Sequence, residues 1–249
     1  GVHSLVFAAK EFRCGRPQTP ASILWDARRE VGTHLRLRDC DRVVALRGVW
    51  FTPRVTLLFD LMEEGSLFHF IHDYTDKGGV IKYPADVADA LVALHRAGII
   101  HRDVKSHNVM IKIIGRGEGC RQEPESTAWG VKLGDLGSAA LVPCAGGATL
   151  TEEVGTSGST APEVFSGAGY GTPADVFSLG VLAWETFVRG ALENPLCGLS
   201  GEAYLEALRR GSRPPLPAYV PDDVRSLLER CWALEPRHRP TALEVATQL

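Results

Sequence analysis

Five polar side chains between positions 10 and 135 of the chain have the types and spacing that phosphoryl transfer requires. Asp103 and Asn108 belong to the segment His-Arg-Asp-Val-Lys-Ser-His-Asn, and Asp135 follows in Asp-Leu-Gly. Asn108 and Asp135 can supply oxygen ligands for hard metal ions, while Asp103 can orient a hydroxyl and accept its proton late. Upstream, Lys10 can hold nucleotide phosphates, and Glu30 can hold that lysine in place. The set therefore indicates transfer of a γ-phosphoryl group.

The hydrophobic pattern predicts the elements that must position the lysine and its carboxylate partner. The apolar run Ser4–Lys10 predicts a short buried strand that ends at the lysine. Thr19, a capping residue, and Pro20 after it predict the start of a helix. Apolar side chains then recur four positions apart and predict one buried helix face, formed by Ile23, Ala27, Val31 and Leu35.

Further strands are predicted on both sides of the catalytic segment. Val43–Trp50 and Arg54–Phe59 have strand patterns and are joined by a turn at Thr52-Pro53. Short apolar runs of strand type follow at Ile99–Ile100 and Val109–Ile114. The polar, glycine-containing stretch Gly115–Trp129 is typical of a long exposed loop between two strands.

After Gly65 the pattern becomes mostly helical. Helices are predicted at Ala85–His95, Ala174–Val188, Glu202–Arg210, Asp222–Cys231 and Ala242–Leu249. Pro84 either begins the first of these or kinks a longer helix. The order of elements predicts an α+β fold with two lobes: a small antiparallel sheet lobe of roughly 60 residues, and a larger, mainly helical lobe, with a cleft between them.

Composition narrows the class of protein. The chain has 249 residues, 45% of them hydrophobic, and a formal net charge of −3, so neither nucleic acid nor an acidic membrane surface is indicated as a partner. No apolar run is long enough to span a bilayer. The six cysteines form no C-x-x-C pair, which argues against a zinc site or a disulfide scaffold. We expect an intracellular, cytoplasmic location, with membrane tethering through other regions left open.

The motifs, in this order, resemble those of the eukaryotic protein kinase family over nearly the whole chain. Val-Phe-Ala-Ala-Lys10 resembles the family's strand-three lysine motif, and His101 to Asn108 matches its catalytic loop at every defining position. Asp-Leu-Gly at Asp135 stands where the family usually has Asp-Phe-Gly, and Ala-Pro-Glu at Glu163 ends its activation segment. The resemblance implies one kinase domain over 1–249, with a partial N-terminal lobe and hinge in 1–61, its first strands missing, and a C-terminal lobe in 62–249.

The resemblance also implies residue roles at the nucleotide site. Phe59 would be the gatekeeper, and Asp60, Leu61 and Met62 would face the adenine with backbone groups. ATP and Mg²⁺ are the implied cofactors, and proteins are the implied substrates. Lys105 stands where serine/threonine kinases place a phosphate-contacting lysine.

Other matches concern the type of residue that accepts the phosphate, the branch of the family, and the residues that support the catalytic loop and the activation segment. Thr156, in Gly-Thr, resembles the threonine that serine/threonine kinases place near the base. Asp175 resembles the buried aspartate that braces the catalytic loop, and Arg239 is expected to pair with Glu163. Arg102 is a candidate partner for a phosphorylated activation-segment residue. The Cys-Trp and Arg-Pro signature near the C-terminus indicates the tyrosine-kinase-like branch, which includes mixed-lineage and leucine-rich-repeat kinases.

Two departures leave alternatives open. Only Gly1 precedes Lys10, so a glycine-rich loop either lies upstream of an excerpted chain or is lacking. His34 stands where kinases usually have an aliphatic residue, unless a one-residue shift puts Leu35 there. The alternative function is therefore a pseudokinase that acts as a nucleotide-binding or scaffolding module. A small-molecule phosphotransferase is disfavoured, because such enzymes do not normally carry the Ala-Pro-Glu or Cys-Trp signatures.

Overall fold

The computed structural model describes residues 5–13, 19–73, 82–114, 128–142, 150–165, 169–199 and 201–249. Of the loop predicted over Gly115–Trp129, residues 115–127 lie outside the described residues, and its end is wrong because Ala128 and Trp129 already belong to a strand. The first four positions and Cys14, Cys120, Cys144 and Thr149 also lie outside the described residues. The two strands that flank that loop are described.

The N-terminal part is a three-stranded antiparallel sheet. Its strands are β1 (Phe7–Glu11), β2 (Leu46–Trp50) and β3 (Thr56–Asp60), in the order β1-β3-β2. Lys10 pairs with Leu57 across the ladder, and it lies on the less exposed face of β1 together with Ala8. Because side chains alternate along a strand, this register fixes the face from which the lysine projects.

Helix α1 (Pro20–Arg36) follows β1 and begins where the sequence predicts. The Thr19 hydroxyl accepts from the Ser22 N–H, and the Ser22 hydroxyl accepts from the Thr19 N–H, which is a reciprocal capping box. The predicted apolar face is only partly correct. Ile23 and Ala27 are buried, but Leu35 is 62% exposed, because the buried face continues through Glu30 and His34 instead.

The C-terminal part is mainly helical. Helices α2 to α7 span Leu67–Asp73, Lys82–Arg96, Pro173–Val188, Gly201–Arg209, Asp222–Cys231 and Ala242–Gln248. Pro84 lies in the first turn of α3, where its missing N–H leaves no intrahelical bond unmade. Short strands lie between α3 and α4: β4 (Ile99–Ile100), β5 (Val109–Ile114), β6 (Ala128–Leu133) and β7 (Ala140–Leu141).

Backbone hydrogen bonds join the sheet lobe to the helical lobe. The Val44 N–H donates to the Leu133 carbonyl at 2.9 Å, and the Leu133 N–H donates to the Arg42 carbonyl at 2.8 Å. Leu133 in turn pairs with Val109 in the β5–β6 hairpin. The segment after α1 is thus attached to the hairpin that Asn108 precedes and Asp135 follows, and a cleft remains between the lobes.

Two apolar clusters hold the helical lobe. One joins α3, α4, the β5–β6 hairpin and α7, and the other surrounds the rings of Phe177, Trp184, Tyr204 and Trp232. Each large apolar side chain buried in this way contributes about 1.5–3 kcal/mol. The α+β, two-lobed prediction is confirmed, while the boundary at position 61 stays a prediction.

Candidate active site

A lysine with two carboxylate partners lies at the mouth of the cleft. The Lys10 Nζ atom is 2.9 Å from both Glu30 carboxylate oxygens and 2.7 Å from Asp135 Oδ1. Glu30 is only 1% exposed, and it is held by this contact from the third turn of α1. Residues from β1, α1 and the loop after β6 are thereby joined by one cation.

The pKa values of the three groups follow from burial and mutual contact. Burial works to lower the pKa of Lys10, but its bonds to Asp135 and Glu30 outweigh this effect and raise it. Burial raises the pKa of Glu30, and Lys10 only partly offsets that. Burial alone would raise the pKa of Asp135, yet the hydrogen bond from Lys10 outweighs this effect, and the pKa is lowered. The lysine is thus held as a cation and Asp135 as a carboxylate.

Gly137 leaves the space that this ion cluster occupies. A Cβ atom at that position would lie 3.1 Å from both the Asp135 Oδ1 and Lys10 Nζ atoms, and 3.3 Å from Glu30 Oε2. Arg29 of α1 also donates to the Gly137 carbonyl at 2.6 Å. The glycine in Asp-Leu-Gly therefore allows the close approach of α1, and Arg29, which the sequence reasoning gave no role, helps to fix it.

The catalytic loop places its polar residues around Asp103. The Asn108 side-chain amide donates to the Asp103 main-chain carbonyl at 2.8 Å and to Oδ2 at 3.0 Å. Lys105 Nζ is 2.8 Å from the same Oδ2 atom. The Thr156 hydroxyl donates to Asp103 Oδ1 at 2.8 Å and accepts from Lys105 at 2.8 Å. Since the Asn108 amide nitrogen is used in this way, its amide oxygen is the ligand atom left for a cation.

A buried aspartate of α4 supports the catalytic loop from beneath. Asp175 accepts from the backbone N–H groups of His101 and Arg102 at 2.9 Å each, and its Oδ2 atom also lies 2.9 Å from His95 Nε2. The backbone of Arg102 has a positive φ of 71°, an unfavourable conformation for a non-glycine residue. The predicted bracing role of Asp175 is confirmed, and these bonds hold the strained turn.

Arg102 has a carboxylate partner in the activation segment. Its guanidinium donates to Glu152 Oε2 at 2.9 Å and to the Tyr170 hydroxyl at 3.3 Å. The Tyr170 hydroxyl donates to the Glu152 carbonyl at 2.7 Å. The expected partner of this arginine was a phosphorylated residue, and here an ordinary glutamate lies in that place. The sequence could not identify Glu152 as the partner of Arg102, because fifty positions separate the two residues.

A buried ion pair anchors the end of the activation segment. Arg239 donates to Glu163 Oε1 at 2.5 Å and to Oε2 at 2.8 Å. Arg239 also donates to the Pro173 carbonyl at the start of α4. This two-point geometry confirms the predicted pair, which joins two segments far apart in the chain.

The cleft itself is a cavity of about 290 Å³. Its walls come from both lobes and include Ala8, Lys10, Glu30, His34, Val44, Phe59, Asp60, Leu61, Met62, Met110 and Asp135. The expected gatekeeper and hinge residues therefore line the same space as the lysine cluster. A larger cavity, of about 610 Å³, lies between α1 and the activation segment, away from Asp103.

The hinge residues differ in the backbone groups that they can offer. The Asp60 N–H donates to the Ala45 carbonyl at 3.1 Å, and its carboxylate is paired with Arg47 at 2.5 and 2.7 Å. The hydrogen bond from Arg47 lowers the pKa of Asp60. The Asp60 N–H is therefore engaged within the protein, and the expectation that Asp60 faces an adenine with a backbone group stays a prediction. Met62 is 8% exposed, and its N–H has no backbone partner among the described residues.

His34, and not Leu35, occupies the buried position one turn after Glu30. His34 is 5% exposed and its ring lies 5.2 Å from that of Phe59. The alternative register, with Leu35 inside, is wrong, because the capping box and the Glu30 contact fix the rotation of α1. A histidine therefore lines this cleft at the position where the family usually has an aliphatic residue.

The oxygen donors at the cleft fit a hard divalent cation. Asn108 and Asp135 offer an amide oxygen and a carboxylate, and phosphate oxygens and water would have to complete the coordination of Mg²⁺. Within the described ranges, no group of three or more His, Cys, Asp or Glu side chains is arranged to hold a metal ion by itself. No helix in the described part of the chain is long and apolar enough to cross a membrane.

This fold and site are typical of nucleotide-dependent phosphotransferases, and comparison with known proteins specifies the family. Residues 3–248 match the family described as protein kinase domain, so the chain belongs to it. Probable serine/threonine-protein kinase drkD of Dictyostelium discoideum is 28% identical over 228 residues, which are 90% of this chain and 16% of that protein.

Two further relatives are similar to the chain over most of its length. Probable serine/threonine-protein kinase drkA of Dictyostelium discoideum is 31% identical over 226 residues, 88% of this chain and 32% of that protein. Mitogen-activated protein kinase kinase kinase 7 of Homo sapiens is 29% identical over 226 residues, 85% of this chain and 34% of that protein. The chain thus spans about a third or less of the length of these relatives.

Proposed function

We propose that this domain is an active protein serine/threonine kinase that transfers the γ-phosphate of Mg-ATP to hydroxyl groups of protein substrates. The observation that carries the proposal is the contact set of Asp103, Lys105 and Thr156, with three side chains hydrogen-bonded at 2.8 Å. A scaffold that only binds a partner has no need for a carboxylate, a cation and a hydroxyl at one point.

Each residue has a role that follows from its contacts. Asp103 accepts a hydrogen bond from the Thr156 hydroxyl, which marks where a substrate hydroxyl can bind and lose its proton. Lys105, held against that carboxylate, neutralises charge on the transferred group. Lys10 binds nucleotide phosphates and is oriented by Glu30. Asn108 and Asp135 hold Mg²⁺, which when bound offsets the negative charge of the phosphates.

Serine or threonine is favoured as the acceptor because of the Lys105–Thr156 contact. These two side chains lie beside Asp103, so the space in front of the base is bounded by a hydroxyl and an ammonium group. A short acceptor side chain can reach Asp103 between them. The two Dictyostelium discoideum relatives are both named probable serine/threonine-protein kinases, which supports the same choice.

The test is phosphate transfer by the full-length protein with radiolabelled ATP and Mg²⁺, followed by phosphoamino-acid analysis. We expect phosphoserine or phosphothreonine, and a loss of about 10²–10⁴-fold in Asp103→Asn, because the proton acceptor is removed. Glu153→Gln, an exposed change in the activation segment, is the matched control and should retain activity. The proposal fails if the wild type labels neither itself nor any protein.

The alternative, a pseudokinase, makes a different prediction about the metal. If the domain is an enzyme, ATP with Mg²⁺ should raise its melting temperature more than ATP alone, because Asp135 and Asn108 bind the ion with the nucleotide. Asp135→Asn should abolish that difference. A domain that is stabilised by ATP regardless of Mg²⁺, and that labels nothing, would be the binding module.

A further inference from the structure

A second groove lies on the helical lobe. It is a cavity of about 390 Å³ between the C-terminal end of α3, the start of α4 and the segment that leads into α7. Val92, Val176 and Leu243 give it an apolar wall, and the exposed cations Arg96 and Arg237 also line it. This volume lies within the range of sites that bind small molecules.

The ionisable side chains that line this groove are all basic. Among the described residues, no aspartate or glutamate lines it. Arg96 forms no ion pair within the described part of the chain. Arg237 has only a loose contact with Glu235, at 3.9 Å and between side chains that are 78% and 61% exposed, and such a pair contributes little. Both guanidinium groups are therefore available to an anion, unlike Lys10 in the cleft, which already contacts two carboxylates.

The floor of the groove is fixed in place. The buried Arg239 side chain donates to Glu163 at 2.5 and 2.8 Å and to the Pro173 carbonyl at 3.0 Å, so its charge is already neutralised. Pro173, Pro236 and Pro240 also line the groove, and proline has a fixed φ angle. A preformed groove loses little conformational entropy when a ligand binds.

One wall residue connects the groove with the catalytic loop. His95 lines the groove, and its Nε2 atom lies 2.9 Å from Asp175 Oδ2. The same oxygen atom accepts from the His101 backbone N–H at 2.9 Å. A ligand that packs against His95 would therefore restrict a ring that shares its partner atom with the catalytic loop.

We propose that this groove binds a small carboxylate with an apolar body, and that the bound ligand stabilises the catalytic loop through His95. Arg96 and Arg237 would bind the carboxylate, since a guanidinium group matches its two oxygens. The apolar body would pack on Val92, Val176 and Leu243. The basic lining favours an acid over an alcohol of the same shape. The site lies outside the cleft, so the proposal does not depend on phosphate transfer.

A matched pair of probes tests the site on the full-length protein. The probes are 4-phenylbutyrate and 4-phenylbutanol, which share an apolar body and differ in charge. Calorimetric titration without nucleotide should give about tenfold tighter binding for the acid, which is the range of one charge-assisted hydrogen bond. In the double variant Arg96→Gln, Arg237→Gln the preference should fall below about twofold. Leu243→Glu should abolish binding of the acid, because it places a like charge in the groove.

A control variant and the melting temperatures keep the result specific. Arg36→Gln removes an exposed arginine of α1 that does not line the groove, and it should leave the preference of the wild type unchanged. Leu243 is 52% exposed, so its replacement does not disturb the core. The melting temperature of each variant without ligand should match that of the wild type, which shows that the fold is intact.

Hydrogen–deuterium exchange tests the link to the catalytic loop. Saturating 4-phenylbutyrate should slow exchange of the His101 and Arg102 backbone amides several-fold in the wild type, because opening of the loop becomes less frequent. In His95→Leu the acid should still bind, but this protection should be absent.

Equal binding of the two probes by the wild type would overturn the proposal. So would a preference that survives in the double arginine variant, because the carboxylate would then be bound elsewhere. Unchanged exchange of the two amides with the acid bound would overturn the link through His95. Since the titrations contain no nucleotide, an inactive domain that keeps the preference contradicts the proposed function alone, and an active enzyme without the preference contradicts only this site.

Discussion

The catalytic loop and the lysine cluster face the same cleft but are stabilised in different ways. The catalytic loop rests on Asp175, which is 1% exposed and bonded to two backbone N–H groups. The lysine cluster combines the buried Glu30 with two partly exposed side chains, Lys10 at 38% and Asp135 at 46%. Buried bonds to backbone fix one conformation, whereas exposed ion pairs are weak and can rearrange. The helical lobe therefore supplies a rigid base, and the sheet lobe supplies a more adjustable lysine, which we propose binds nucleotide phosphates.

The first prediction tests the catalytic loop, the rigid member of this comparison. Asp175→Ala should lower the free energy of unfolding by about 3–5 kcal/mol, because two buried N–H groups lose their acceptor and the strained turn at Arg102 loses its support. Urea denaturation would measure this. Asp41→Ala, at an exposed position, is the control and should cost less than about 0.5 kcal/mol. A small loss in Asp175→Ala would mean that the loop is not braced from beneath.

The second prediction uses the buried imidazole behind the lysine cluster. The folded-state pKa of His34 is about 4, below its ordinary value of 6.5, so the unfolded chain binds more protons between these values. Stability should therefore fall as the pH drops from 6.5 to 4, by about 3 kcal/mol for this group. Denaturant titrations at several pH values would measure it. His34→Leu should lose that part of the slope, and parallel pH profiles would contradict the prediction.

The third prediction tests the lysine cluster, the more adjustable member of this comparison. Glu30→Gln should reduce phosphate transfer by about 10–100-fold, because Lys10 loses its ionic partner and its pairing with Asp135 becomes dominant. The free energy of unfolding should change little, since the neutral amide avoids the burial cost of the charge. Steady-state kinetics and urea denaturation on the same preparation would separate these effects. A stability loss as large as that of Asp175→Ala would remove the contrast between the two regions.

The smallest expected effect lies at the contact between Arg102 and the activation segment. Glu152 is 68% exposed, so Glu152→Gln should cost less than about 1 kcal/mol of stability. Activity should still fall several-fold, because the segment that carries Thr156 loses its tie to the catalytic loop. Glu153→Gln should change neither the free energy of unfolding nor the activity. Equal activities in the two variants would show that the Arg102 contact does not position the segment.

Local sequence patterns predicted most of the elements, since their causes are local. The Thr19 cap and the proline after it predicted the start of α1, and the periodicity of Asp222–Cys231 predicted α6 with its observed limits. The candidate catalytic residues could be selected because their spacing within short motifs is characteristic. The backbone contacts of the hinge were harder to predict, because only the fold shows that the Asp60 N–H donates to the Ala45 carbonyl.

The sequence by itself determined the residue types at the site, their order, and the class of fold, because motif spacing and hydrophobic period are properties of neighbouring positions. Only the tertiary structure decided that His34 and not Leu35 is buried, and that Glu152 is the partner of Arg102. It also decided that the His34 Nε2 atom is buried without a hydrogen-bond partner among the described residues. These facts depend on the rotation of one helix and on contacts between segments far apart in the chain, which no local pattern records.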